Sequence, residues 1–173
     1  MKSKSGAGFT LIELLVVIFI ISLISGSVLV SSWRNQDQYY ASKAAQKLAA
    51  DFRRVQNMAL SGAYVPAGCA PDDCAKGFGL YVKSPNEYVI FYNSDKDKTR
   101  YVEDGSKEST DMETITLPNN TSLSPDKKEV YFTPPDPTTY INNGNDSSQA
   151  FTIINGSFSK SVTVFIGGRV DIN

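Results

Sequence analysis

The chain has 173 residues, with 17 Lys and Arg against 18 Asp and Glu, for a net charge of −1. That balance provides no global basic field to draw in nucleic acid. The sequence contains no His, which removes the commonest general base and the commonest metal ligand.

The first eight residues, MKSKSGAG, are basic and rich in small side chains. From Phe9 to Val30 the chain is almost wholly apolar, with no Pro, Lys or Arg and a single charge, Glu13. As a helix this stretch rises roughly 33 Å at about 1.5 Å per residue, enough to cross a bilayer core of about 30 Å. A carboxylate inside such a span costs roughly 2.5–3.5 kcal/mol on insertion scales. Glu13 therefore either sits shallow and reaches the headgroups, or meets a positive partner. The leader is too short for an ordinary signal peptide, in which cleavage follows the apolar stretch. Here the small residue, Gly8, comes before that stretch. Cleavage after Gly8 leaves the apolar segment on the mature chain and frees the amine of Phe9, four residues from Glu13.

Gly8, Phe9, Thr10, Leu11, Ile12 and Glu13, behind a basic leader and ahead of an apolar run, resemble the class III signal of type IV pilins and type II secretion pseudopilins. The resemblance implies cleavage between Gly8 and Phe9 by a membrane prepilin peptidase, and N-methylation of Phe9. It implies assembly with other pilin or pseudopilin subunits on an inner-membrane platform. It also implies that Glu13 faces the N-terminal amine of a neighbouring subunit. A buried carboxylate is tolerable when a partner supplies the opposite charge. Many major pilins carry a Pro near the end of the apolar stretch. Val30 stands there in this chain, which leans toward a minor pilin or pseudopilin.

Lys2 and Lys4 precede the span, and Arg34 and Asp37 follow it. The positive-inside rule then favours a cytoplasmic leader and an exported C-terminal domain. The expected location is the cell membrane, single-pass, followed by an extracellular or periplasmic filament. Trp33, Tyr39 and Tyr40 fall near the outer boundary, which such residues favour. Beyond it, Ala41, Ala45, Leu48, Phe52, Val55 and Ala59 recur at steps of three and four, predicting a helix with a narrow buried stripe. Lys43, Gln46, Lys47, Asp51, Arg53, Arg54 and Asn57 fill its other positions. No Pro interrupts residues 9–61, so one long helix is expected, with Gly62 as its C-cap and Pro66 beyond.

Cys69 and Cys74 lie in CAPDDC. On the exported side a disulfide between them is favoured. Free thiols stay open, as does an incomplete metal set with Asp72 or Asp73. Short strands are then expected at residues 78–83, 88–92, 100–102, 114–117, 129–133, 151–154, 162–166 and 169–172, separated by Gly, Pro, Asn and Asp clusters. The tail, EVYFTPPDPTTY, FTIIN and SVTVFIGGRVDIN, resembles the closing half of the GspH/FimT-like minor pilin domain.

Chemistry is sparse. Asp95, Asp97, Glu103 and Asp104 lie in NSDKDKTRYVEDG. This reads first as a solvated hairpin turn. A calcium site at Asp95 and Asp97 is the alternative, although Arg100 stands where an EF-hand needs Gly. Some FimT-like minor pilins that bind DNA carry a Gly-Arg-x-Arg tail. This chain has Asp171 at the second Arg position, and an acid opposes phosphate binding. Arg169 is therefore a weak candidate DNA contact, and Arg53 with Arg54 reads as a solvated helix face. Ser and Thr have no His to activate them. No catalytic residue, metal or cofactor is expected, and nucleic acid is not an expected partner.

The expected fold is α+β: one long N-terminal helix, transmembrane in its first half, packed on a C-terminal antiparallel sheet or sandwich. The divisions are a leader at 1–8, an assembly helix at 9–30, an amphipathic helix at 31–62 and a β-rich domain at 63–173. The expected function is that of a non-enzymatic filament subunit, with DNA uptake as the alternative.

Overall fold

The computed structural model of the chain describes residues 9–61, 75–94, 100–102, 109–118, 120–134, 138–142, 144 and 146–173, with residues 27–35 in backbone only. It divides into two units, Met1–Gln36 and Asp37–Asn173. Helix α1 is assigned over Leu11–Ser61. Its apolar beginning lies in the first unit and its amphipathic part in the second. Leader residues 1–8, the cap candidate Gly62, and Pro66 all lie outside the described residues, as do both cysteines, Cys69 and Cys74.

In the second unit the three- and four-residue stripe sets the packing. Ala41, Ala45, Leu48, Phe52, Val55 and Ala59 are all buried, and Ala44 and Ala49 widen the stripe. Small alanines let the helix backbone come close to the sheets, and Leu48 and Phe52 supply bulk. Burying each of those two side chains stabilises the domain by about 1.5–3 kcal/mol.

The strands that follow form two antiparallel sheets. The first comprises β1 (Gly77–Ser84), β2 (Glu87–Asn93), β3 (Ser109–Thr116), β5 (Glu129–Thr133) and β6 (Thr138–Ile141), in the order β3-β2-β1-β5-β6. The second comprises β4 (Thr121–Ser124), β7 (Ser148–Asn155), β8 (Phe158–Phe165) and β9 (Val170–Ile172), in the order β4-β7-β8-β9. The α+β class with antiparallel sheets therefore holds. The principal core joins the helix stripe to Phe78, Leu80, Tyr88, Ile90 and Phe132 from the first sheet, and to Leu123, Phe151, Ile153, Val162 and Val164 from the second. Phe52 meets Phe151 with ring centroids 5.3 Å apart.

Alternate residues of the first sheet point the other way, where Tyr81, Val89, Phe91 and Tyr131 form a second apolar cluster. This explains why YVIFY, residues 88–92, is apolar without a break: its strand is buried on both faces. Gly79 makes room for that second cluster. A Cβ there would lie 2.6 Å from Phe91 Cε1 and 3.0 Å from Tyr131 Cδ2.

Several expectations change. Residues 100–102 form no strand. The strand that returns beside β2 is β3, in register from Glu87↔Thr116 to Asn93↔Ser109 with a bulge at Met112. Backbone groups of residues 100–102 that a ladder would use are taken by side chains instead: Asn93 Nδ2 donates to Arg100 O at 2.9 Å, and Val102 N–H donates to Ser109 Oγ at 3.0 Å. The strands β4 and β6 are additional; each has four residues and little apolar alternation. Asp51, grouped with the polar face, is buried at 6% exposure. It accepts a hydrogen bond from the Tyr88 hydroxyl at 2.6 Å and pairs with Lys47 at 3.1 Å.

The hairpin β7–β8 turns through Gly156 and Ser157, with Asn155 opposite Phe158. Gly156 has φ +57, which suits the first loop position of a type II′ turn. The Asp37 carboxylate sits where a Cβ on Gly156 would be. The tip of the hairpin therefore rests on the first residue of this unit.

Candidate functional site

The candidate site is the start of α1. Thr10 precedes the first helical residue and accepts three contacts there. Glu13 N–H reaches Thr10 Oγ1 at 3.3 Å and Thr10 O at 3.1 Å, and Leu14 N–H reaches Thr10 O at 3.2 Å. This is the N-cap arrangement, in which a hydroxyl satisfies a helix donor that has no internal partner. Thr10 and Glu13 stand at the spacing of a capping box. That signal was present in the sequence but overshadowed by the apolar span. Glu13 is also the acid of the first turn, where the helix dipole favours negative charge. Its charge thus has a local role in starting the helix, besides any role with a neighbour.

The side chains that follow are open to solvent in the single chain. Phe9 and Leu11 are more than four-fifths exposed, and Ile12, Leu14, Leu15, Val16, Val17, Ile18, Phe19, Ile20, Ile21, Leu23 and Ile24 are all exposed. Contiguous apolar surface of this kind marks a site of contact with another apolar body. Ser22 is the polar interruption, and its hydroxyl bonds back to Ile18 O at 2.7 Å. Among the described residues, no helix is long and apolar enough to cross a membrane. The span expected at 9–30 runs past Gly26, beyond which side chains are not described.

The other candidates do not gather into a second site. Arg169 lies beyond the Gly167-Gly168 turn, pairs with Asp171 at 3.0 Å, and has its guanidinium 4.2 Å from the Phe165 ring centroid. Its charge is already matched by a neighbour. Gly168, at φ +77, packs against Gln56 of α1, so the Gly-Gly turn serves helix packing. Arg53 donates to Val170 O at 3.3 Å, and Arg54 pairs with Glu113 at 2.6 Å. These adjacent helix residues brace β9 and β3, one from each sheet. Asp95, Asp97, Glu103 and Asp104, with the proposed Cys69–Cys74 pair, lie outside the described residues. Among the described residues, no three His, Cys, Asp or Glu side chains come together as a metal set.

The geometry describes an α+β chain whose capped N-terminal helix bares an apolar surface. Residues 3–29 match the family model described as the prokaryotic N-terminal methylation motif, the leader signature of type IV pilins and pseudopilins. The match covers leader residues 3–8 together with Phe9 and Glu13, and leaves the β domain outside it. Neither the curated proteins nor the solved structures compared with the chain give a match.

Proposed function

We propose that this chain is a non-enzymatic filament subunit, a minor pilin or pseudopilin, cut after Gly8 by a prepilin peptidase and methylated on Phe9. The observation that carries this reading is one coincidence of position. The methylation motif at residues 3–29 contains the stretch of α1, Leu11 to Ile24, whose apolar side chains are bare. Cleavage ahead of Phe9 leaves that stretch at the mature N-terminus, available first to lipid and then to neighbouring subunits.

Residues 9–30 hold the chain in the membrane before assembly, with the β-rich domain on the exported side. Removing each large apolar side chain from water, into lipid or against a neighbour, contributes about 1.5–3 kcal/mol. Between helices already in lipid that term is absent, and close van der Waals packing of the same side chains supplies the lateral contact. Glu13 sets the axial register by meeting the Phe9 amine of the next subunit, because an unpaired carboxylate in an apolar layer is costly. The DNA-uptake reading lacks comparable support, since Arg169 is paired with Asp171.

The test is the N-terminal mass of the protein in sheared surface filaments and, separately, in membranes. A methylated Phe9 terminus in the sheared fraction is the expected result for a filament subunit. Processed protein confined to membranes points to a pseudopilin or low-copy initiator. An intact Met1 in both fractions overturns the reading.

A further inference from the structure

Asn followed two positions later by Ser or Thr is the acceptor pattern for N-linked glycans, and in an exported chain it marks surface loops. The pattern starts at Asn119, Asn120, Asn145 and Asn155. The structure sorts these positions. Asn155 is 2% exposed and donates its amide to Thr121 Oγ1 at 2.8 Å, so a transferase cannot reach it in the folded chain. That bond also engages the buried Thr121 hydroxyl, which the pattern at Asn119 requires. Asn119 and Asn145 themselves lie outside the described residues. Asn120 is exposed at the corner that leads into β4, in a turn closed by Thr121 N–H donating to Pro118 O at 3.1 Å. Its φ of +53 suits Asn, which tolerates the left-handed region better than most residues. That conformation accounts for an Asn in the turn, but not for the hydroxyl two positions on or for the surface around it.

Thr121 and Leu123 point into the core, so Ser122 and Ser124 face outward by strand alternation. The register carries that outer face across the sheet. Ser122 stands opposite Ile154 and Ile154 opposite Ser159, while Ser124 stands opposite Thr152 and Thr152 opposite Ser161. Five of these six side chains bear hydroxyls and none is charged, and Ile154 is bare at 38% exposure. Hydroxyls that both donate and accept, around one exposed apolar side chain, suit an uncharged sugar chain. We propose that Asn120 is an N-glycosylation site, and that its oligosaccharide lies over this outer face of the second sheet.

The site rests on the reading that the β-rich domain is exported, to the side where this acceptor pattern is used. The sugar donor is an oligosaccharide joined through phosphate to a polyprenyl carrier and presented by a membrane transferase. Asn120 Nδ2 attacks the first anomeric carbon of that donor. The new C–N bond forms as the C–O bond to phosphate breaks. The lipid phosphate departs, and a base on the transferase takes one amide proton. The Ser122 hydroxyl serves recognition and takes no part in bond making. A bulky, solubilising chain at this corner keeps the outer face of the second sheet toward solvent and bars it from contacts between subunits.

The experiment is mass spectrometry of the full chain isolated from its own host. It reads the tryptic peptide of residues 108–127 and, in the same sample, the N-terminal peptide. The first peptide is expected to carry the added mass of an oligosaccharide, which electron-transfer fragmentation places on Asn120. Ser122→Ala leaves Asn120 and the pattern at Asn119 intact, and should return the peptide to its bare mass. Ser122→Thr should restore the addition. A bare peptide in the native chain overturns the proposal, as does sugar located on Asn119, or added mass that Ser122→Ala leaves in place. The native chain decides the matter without any variant having to fold. The N-terminal peptide keeps the two readings apart. A methylated Phe9 beside a bare Asn120 sinks the glycan alone, whereas an intact Met1 sinks the filament reading.

Discussion

The Tyr88 hydroxyl donates to Asp51 Oδ2 at 2.6 Å inside the core, fastening β2 to α1 through a polar bond in an apolar setting. Removing a partner from a buried, charged acceptor costs about 1.5–3 kcal/mol. Tyr88→Phe should therefore lower stability by that amount, measured by denaturant unfolding of the full chain in micelles. Asp51→Asn keeps an acceptor oxygen and should cost less. Equal losses for the two variants would show that the carboxylate charge, held also by Lys47, matters more than the tyrosine bond.

The same pair predicts an alkaline limit. Burial first, and then the bond to Asp51, push the Tyr88 phenol far above its ordinary value of 10.0. The unfolded chain releases this proton near pH 10, and the folded chain does not. The contribution is therefore intact below pH 10 and is lost as pH rises beyond it. Ultraviolet titration should show Tyr88 failing to ionise with the exposed tyrosines, and Tyr88→Phe should lessen the alkaline fall in stability.

Gly79 and Gly167 form a matched test of close approach. A Cβ on Gly79 enters the rings of Phe91 and Tyr131, whereas one on Gly167 meets nothing within 4 Å. Gly79→Ala should destabilise by about 1–3 kcal/mol, the range for overpacked cores. Gly167→Ala should leave the melting temperature nearly unchanged. Similar melting temperatures for the two variants would mean that Phe91 can step aside freely.

Thr10 and Glu13 separate helix initiation from assembly. Thr10→Ala removes the cap and should cost about 0.5–2 kcal/mol locally, seen as faster exchange of the Glu13 amide. Thr10→Ser should restore protection. Glu13→Gln should keep helix content by circular dichroism and yet reduce recovery of the protein in sheared filaments. Loss of helix content in Glu13→Gln would assign the residue to the helix start alone.

Arg54 and Glu113 are about half exposed, with side-chain accessibilities of 52% and 42%. Such a pair contributes about 0.2–1 kcal/mol and weakens with salt. A double-mutant cycle with Arg54→Met and Glu113→Gln should give a coupling energy in that range at low ionic strength. A coupling energy that salt leaves unchanged would contradict the exposed geometry.

The parts of the fold legible in the sequence were those written by local periodicity. Ala41 to Ala59 declared their buried face through three- and four-residue spacing, and 129–133 declared a strand through a β-rich run beside Pro134. Residues 100–102 did not, because Asn93, Ser109 and Glu129 reach them from distant positions, and no local pattern records a side chain bonding a remote backbone. Asp51 misled for the same reason: its partner, Tyr88, lies 37 residues away. β4 and β6 are short and hydroxyl-rich, so their pairing depends on neighbours rather than on their own composition. At the site, the Gly8-Phe9 and Glu13 pattern was legible, and the Thr10 cap became visible only once the helix start was known.

The bare apolar side chains between Leu11 and Ile24 bear on how supply must be organised. A chain with that surface has no comfortable resting state in water, since its options are an apolar medium or another copy of itself. A dissolved reserve cannot accumulate without risking indiscriminate clumping. Any copy set free in water before it meets such a surface is therefore a hazard rather than a store.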